Sequence, residues 1–208
     1  MSNSLFEALE KFDPDRSHYA FSREKHWSYH SGATKGCFIL PNRKYVLKFT
    51  IDNEETSFDE TAREAQIYQE AVIRGIERIF LPTKQFYTNH FGVTFYTQPL
   101  ITKESCHVDY GECVALLGKS THLRGSRDVE VITRNMEVRP SDEVWTLRAY
   151  HIYGKKFMQE FAAFTQDWGI NDLHKGNTGY LKNRPVLLDY SGYHRESYYS
   201  SSSNGEKY

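Results

Sequence analysis

Cysteine is scarce in this 208-residue chain: Cys37, Cys106 and Cys113 are the whole complement. Their number is odd and none stands in a C-x-x-C pair. Cys106-His107 with Cys113 lacks a fourth ligand at sensible spacing for zinc, which leaves ordinary reduced thiols. Long apolar runs are missing too, since no stretch approaches the roughly 18 residues that span a bilayer. Glu7, Glu10 and Lys11 interrupt the N-terminal apolar residues where a signal-peptide core would stand. These absences predict a reducing, cytoplasmic setting and no membrane partner. Neither sign of charge is in excess. With 26 basic and 27 acidic residues the formal net charge is −1, so no overall field favours nucleic acid or an anionic membrane. Aromatic residues, by contrast, are plentiful, with 15 Tyr and 13 Phe. The length suits one domain or two small lobes with a sizeable core.

Along the chain, a short helix is predicted around 5–12, followed by a polar connection broken by Pro14. From His26 the pattern becomes strand, glycine-bearing loop (Gly32 to Gly36), strand, turn (Pro41-Asn42-Arg43-Lys44) and strand (Tyr45-Val46-Leu47-Lys48-Phe49). A helix follows to about Arg74, with Ser57 and Glu60 as a capping box and Gly75 as its stop. Glu64, Tyr68 and Val72 are expected on one stripe of it. Strands at about 81–87 and 93–96 flank the turn Asn89-His90-Phe91-Gly92. Between 103 and 140 the pattern is weak, with a short helix at 111–117 and a hairpin around Arg134-Asn135. Helical periodicity runs from Ser141 to Asp167, interrupted at Gly154, and Phe157, Phe161, Phe164 and Trp168 have core spacing. Val186-Leu187-Leu188 reads as a short buried strand after the turn Lys182-Asn183-Arg184-Pro185.

The densest chemical signal lies near the C-terminus. Asp172 precedes Asn177 by five residues, and Asp189 follows Asn177 by twelve, directly behind the apolar run. Phosphoryl transfer uses such a set: one carboxylate orients and deprotonates an acceptor hydroxyl, while an amide oxygen and a second carboxylate hold Mg²⁺. Singly, each residue is a common turn former, and two Asx-turns flanking a hairpin would account for them. Their joint spacing favours the chemical account. Lys48 stands in an otherwise apolar strand, where a cation oriented by a carboxylate suits phosphates in a poorly hydrated cleft; an edge-strand lysine facing solvent is the alternative. Glu64, sixteen residues on, is the first choice for that carboxylate, with Glu60 and Glu70 as substitutes. Gly32 and Gly36 sit where a phosphate-covering loop would lie, though a plain glycine hairpin fits equally. Thr34 and Lys35 fall at its tip, where they would help cover the phosphates.

Over roughly 26–192 the chain resembles protein-kinase-like enzymes, spanning the eukaryotic-like kinases and the aminoglycoside phosphotransferases. The resemblance rests on Asp172-Leu173-His174-Lys175-Gly176-Asn177 as D-[LI]-[KH]-x-x-N, on the Asp189 segment, and on Val46-Leu47-Lys48 as the V-A-I-K lysine. It implies an α+β, bilobal fold: an N-terminal extension (1–25), a five-stranded antiparallel sheet with one helix (26–100), a reduced, mainly helical lobe (101–192) and a flexible Ser/Tyr-rich tail (193–208). It further implies ATP between the lobes with Pro99 and Leu100 near the hinge, and Mg²⁺ (or Mn²⁺) on Asn177 and Asp189. Asp172 would be the catalytic base and Lys48 the ligand of the α- and β-phosphates, steadied by Glu64. His174, or less readily Lys175, would donate to the γ-phosphate.

The chain departs from protein kinases at Ile170-Asn171, where they carry His-Arg, and after Gly192, where no activation segment fits. Such compactness resembles bacterial-effector or phage kinases, for which a host cytoplasm would be the setting. The expected acceptor is a protein Ser/Thr hydroxyl, with a small-molecule hydroxyl, nucleotide transfer and a non-catalytic binding module as alternatives. Tail residues Tyr198 to Ser203 are candidates for self-phosphorylation.

Overall fold

The computed structural model describes residues 3–32, 34–51, 59–101, 140–173 and 176–192. The expected elements at 111–117 and around 134–135 lie outside the described residues, as do Cys106, Cys113, Ser57, His174, Lys175 and the tail. Among the described residues the fold is α+β, with five α-helices, a five-stranded antiparallel sheet and a separate two-stranded hairpin. Helices α1 (Asn3–Glu10) and α2 (His18–Glu24) lead into β1 (Ser28–Ser31), β2 (Lys35–Ile39) and β3 (Tyr45–Thr50). Helix α3 (Glu60–Ile73) precedes β4 (Lys84–Thr88) and β5 (Thr94–Pro99). Then come α4 (Pro140–Tyr153), α5 (Lys155–Asp167), β6 (Thr178–Leu181) and β7 (Arg184–Leu187). The large sheet runs β1-β2-β3-β5-β4.

Strand alternation gives this sheet two different faces. Register pairs Gly36 with Phe49, Cys37 with Lys48 and Lys48 with Tyr96. Directly paired residues share a face, so Phe38, Leu47, Phe49 and Phe95 fall on one side, and Lys35, Cys37 and Lys48 on the other. The aromatic side is roofed by the N-terminal helices. Phe12 is 1% exposed, and its ring centroid lies 5.0–5.5 Å from those of Phe21, Phe38, Phe49 and Phe95. Burying such a side chain contributes roughly 1.5–3 kcal/mol. Asn89, in the β4–β5 turn, locks the roof by donating to the Leu9 and Phe12 carbonyls at 3.0 and 2.7 Å. Residues expected to be a polar connection therefore include α2, whose N-cap Ser17 accepts from the Ala20 N–H. Their aromatic side chains, not the local polarity, decided the outcome.

Gly36 belongs to β2, not to the preceding loop. A Cβ there would approach the Phe49 ring to 2.6 Å, and Phe49 is hemmed in by Phe12, Phe38 and Phe95. We expect Gly36→Ala to destabilise the fold by about 1–3 kcal/mol through overpacking. Equilibrium denaturation checks this, and an unchanged midpoint would show that Phe49 has room to move.

Helix α3 starts two residues later than the predicted capping box. Asp59 is its N-cap, accepting from the N–H groups of Thr61 and Ala62. The buried stripe comprises Thr61, Glu64, Ile67 and Ala71. Val72, expected beside Glu64, is 46% exposed, because each four-residue step on a 3.6-residue helix rotates by about 40°. Ile67 and Ala71 join a second core with Phe80, Trp145, Phe161, Phe164 and Tyr190. Gly154, at φ +83°, separates α4 from α5, as the interrupted periodicity predicts. β7 reaches the sheet half through a parallel bridge between Phe80 and Leu187, with the Leu81 N–H donating to the Leu187 carbonyl at 2.9 Å.

Candidate functional site

The polar side of β2 and β3, the start of α3 and the loops around β6 and β7 enclose an open cavity of about 510 Å³. Lys48, Asp172, Asn177 and Asp189 all line it, together with Gly32, Gly36 and Lys35. Glu64 lies behind this wall, with no exposed surface. Its carboxylate receives the Lys48 ammonium at 2.8 and 3.0 Å. The third Lys48 hydrogen bond goes to the Leu188 carbonyl at 3.1 Å. Gln98 donates to the same carbonyl at 2.9 Å, so two sheet residues grip the chain one position before Asp189. One position after it, the Tyr190 hydroxyl donates to the Leu81 carbonyl at 2.7 Å and meets Thr83 Oγ1 at 2.8 Å. Asp189 is thus held from both sides by bonds that do not involve its own carboxylate.

Asn177 precedes β6. Its amide nitrogen donates to the Asp172 carbonyl at 2.7 Å and to Asp172 Oδ2 at 3.1 Å, and its own carbonyl accepts from the Leu188 N–H at 2.8 Å. The five-residue spacing thereby closes a loop that sets Asp172 and Asn177 side by side on the cavity wall. Arg63 on α3 ties the remaining edges, donating to the carbonyls of Ser191 (2.8 Å) and Trp168 (2.6 Å). Gly192, at φ +80°, is obligatory here: a Cβ would come within 2.3 Å of the Gly169 carbonyl oxygen.

Leu100 and Gly32 are each fixed by a backbone hydrogen bond. Leu100 donates its N–H to the Lys44 carbonyl at 2.9 Å just after β5, and it does not line this cavity. Gly32 closes the β1–β2 turn by donating to the Lys35 carbonyl at 2.9 Å.

Lys35 is the largest departure from expectation. Instead of standing at a loop tip, it opens β2 and turns inward, with its side chain 9% exposed. Its ammonium donates to Glu64 Oε1 at 2.9 Å, to Ser191 Oγ at 2.7 Å and to the Asp189 carboxylate. Glu60 Oε2 lies 3.4 Å away. The available signal was parity: carrying the β2 alternation back through Gly36 puts Lys35 on the face of Cys37 and Lys48. Ser191, Gln98 and Arg63 carried no comparable signal, because they reach the site from elements distant in sequence.

The electrostatics follow from this crowding of two ammoniums and three carboxylates. Burial alone would raise the Asp189 carboxyl, but Lys48 and Lys35 hold it well below the usual carboxylate range. Glu64, with no contact to solvent, is raised by burial in spite of the same two lysines. Burial opposes the charge on Lys35, yet Glu64 and Asp189 hold its ammonium above the ordinary value. The Cys37 thiol, across the strand from Lys48, is pushed up by burial. Asp189 is therefore the carboxylate kept ionised at the cavity surface, and Glu64 the one spent on the lysines.

Among the described residues no cluster of three or more His, Cys, Asp or Glu could hold a metal by itself. The wall instead offers one carboxylate and one amide, hard oxygen donors suited to Mg²⁺, which takes one or two protein ligands and completes its shell with water and phosphate. No helix among the described residues is long and apolar enough to cross a membrane. Comparison of the chain with protein-family models, curated proteins and solved structures finds no match in any of the three.

Proposed function

We propose that the protein is an ATP-dependent phosphotransferase with a bilobal, protein-kinase-like organisation, and that its acceptor is a protein serine or threonine hydroxyl. The observation that carries this reading is a conjunction. A strand lysine is paired to a helix glutamate at 2.8 Å, and it lines the same cavity as Asp172, Asn177 and Asp189. Turn formation would explain Asp172 and Asn177, but it gives no reason for a buried Lys48–Glu64 pair beside them.

In this reading the triphosphate lies along the polar face of β2 and β3, and the cavity opening beside Asp172 receives the acceptor. Asp172 orients the acceptor hydroxyl and takes up its proton. Asn177 and Asp189 would hold Mg²⁺, and the ion would supply positive charge to the phosphates. Lys48, fixed by Glu64, contributes positive field at the α- and β-phosphates. Gln98, Tyr190 and Arg63 keep these groups in register, so little reorganisation is left to the reacting step.

Thermal unfolding with and without ATP and Mg²⁺ is the first test. A ligand at about 100 times its dissociation constant adds about 2.7 kcal/mol of stability, which for a protein of this size raises Tm by roughly 5–10 °C. Transfer is then followed with ATP labelled at the γ or the α position, against a protein and a small-molecule hydroxyl acceptor. Label moving from the γ position to protein supports the reading. Label moving from the α position would make the protein a nucleotidyltransferase, and the absence of any Tm shift would make it a scaffold that binds no nucleotide.

A further inference from the structure

Lys35 and Lys48 reach the same carboxylate but differ in what holds them. An ammonium has three hydrogens to donate. Those of Lys48 go to both oxygens of Glu64 and to the Leu188 carbonyl. These acceptors belong to the framework: Glu64 has no exposed surface, and Leu188 is also held by Gln98. Lys48 has no donor left for a ligand unless the framework opens.

The acceptors of Lys35 are mostly cavity groups. Asp189, Ser191 and Glu60 line the cavity with it, and only Glu64 Oε1 belongs to the layer behind. Among them, Asp189 is the carboxylate assigned to the metal. When Asp189 turns to a divalent cation, Lys35 loses an anionic acceptor and keeps its charge, at the position where phosphate oxygens arrive. Its backbone need not move, because the Lys35 carbonyl accepts from Gly32 and the strand is paired at Thr50. Rotation of the side chain suffices.

Resting on the phosphotransferase reading, we propose that Lys35 is the residue that contacts the nucleotide phosphates directly. Lys48 lines the same cavity but has its donors committed, and acts as the strut that fixes Glu64 and the Asp189 loop. Lys35 holds Asp189 until the metal–nucleotide complex arrives, then exchanges that carboxylate for a phosphate. The ligand class is a metal-bound nucleoside triphosphate or diphosphate, recognised through its phosphates and not through its base.

The test measures binding of ATP, ADP and adenosine to the full chain by calorimetry, with Mg²⁺ present throughout. A charged hydrogen bond to phosphate is expected to change affinity by about 10- to 100-fold. Lys35→Met should weaken ATP by at least about tenfold, ADP by less and adenosine not at all, while Lys35→Arg stays within a few-fold of the parent. Lys35→Gln, which retains a donor for Glu64, carries the same readout should the Met variant fold poorly. Wild-type affinity for ATP in the folded Met or Gln variant would overturn the assignment of Lys35 alone. A parent chain that binds ATP no better than adenosine would overturn the phosphotransferase reading with it.

Discussion

Asp189→Ala is expected to abolish metal-dependent phosphoryl transfer without unfolding the protein. Asp189 supplies the charged protein ligand for the metal in the proposed reaction, and such a metal contributes several kcal/mol of stabilisation to the transition state. The loss in turnover should be on the order of 10³-fold or more. The fold should survive because the loop is held on either side of the carboxylate, through the Leu188 carbonyl and the Tyr190 hydroxyl. Lys35 keeps Glu64 and Ser191 as partners when Asp189 is gone. Asp172→Ala makes the companion measurement. It should leave ATP affinity within a few-fold of the parent and lower turnover by about 10²–10⁴-fold, the usual contribution of a positioned proton acceptor. Labelling with γ-labelled ATP at saturating Mg²⁺ reads both, and full transfer by the Asp189 variant would sink the role given to that residue.

The largest stability effect is expected at Lys48, whatever the function. Lys48→Met removes the partner of a carboxylate that has no exposed surface. Breaking a buried ion pair from one side costs about 3–5 kcal/mol, because the remaining charge is left uncompensated. Lys35 still reaches Glu64 Oε1 at 2.9 Å, which favours the low end of that range. For a chain of this length the loss corresponds to a Tm drop of roughly 6–12 °C. Lys48→Met combined with Glu64→Leu should recover much of it, since a matched apolar pair restores packing without a buried charge. Scanning calorimetry on the single and double variants gives the coupling directly. A single variant that melts with the parent would mean that Glu64 finds water or a proton at no cost.

The two experiments separate the parts of the cluster by depth. Glu64, with no exposed surface, and the Lys48 ammonium committed to it form its framework, where substitution should be felt as stability. Asp172, Asn177, Asp189 and Lys35 form its wall, where substitution should be felt as binding and turnover. This division has a physical cause. A charge with no solvent contact must be matched within the fold, whereas a charge at a cavity surface can exchange its partner for water, an ion or a ligand at modest cost.

How far the chain could be read without coordinates varied with the range of the interactions. Alternation and turn residues were enough for the β1–β5 order along the chain, for the Asn89–Gly92 turn and for the break at Gly154. Local spacing also announced Asp172, Asn177 and Asp189, because five residues close one loop and an apolar strand delivers the other. It did not announce α2, whose seven residues carry too little helical signal and owe their order to Phe12 and Phe38 beneath Phe21. Nor did it supply the N-cap of α3, and the parity that orients Lys35 becomes readable only once Gly36 is placed in β2.

By itself the amino-acid order determined which stretches could be strands or helices and which side chains could carry charge into a cleft, since those properties depend on near neighbours. Only the tertiary structure decided that two lysines share Glu64, that Asp189 is gripped by Gln98, Lys48 and Tyr190, and that Gly36 serves Phe49 instead of a loop. Those outcomes depend on strand register and on segments up to 156 residues apart meeting at one point. Contacts of that range are set by the packing of the whole chain, which no local pattern encodes.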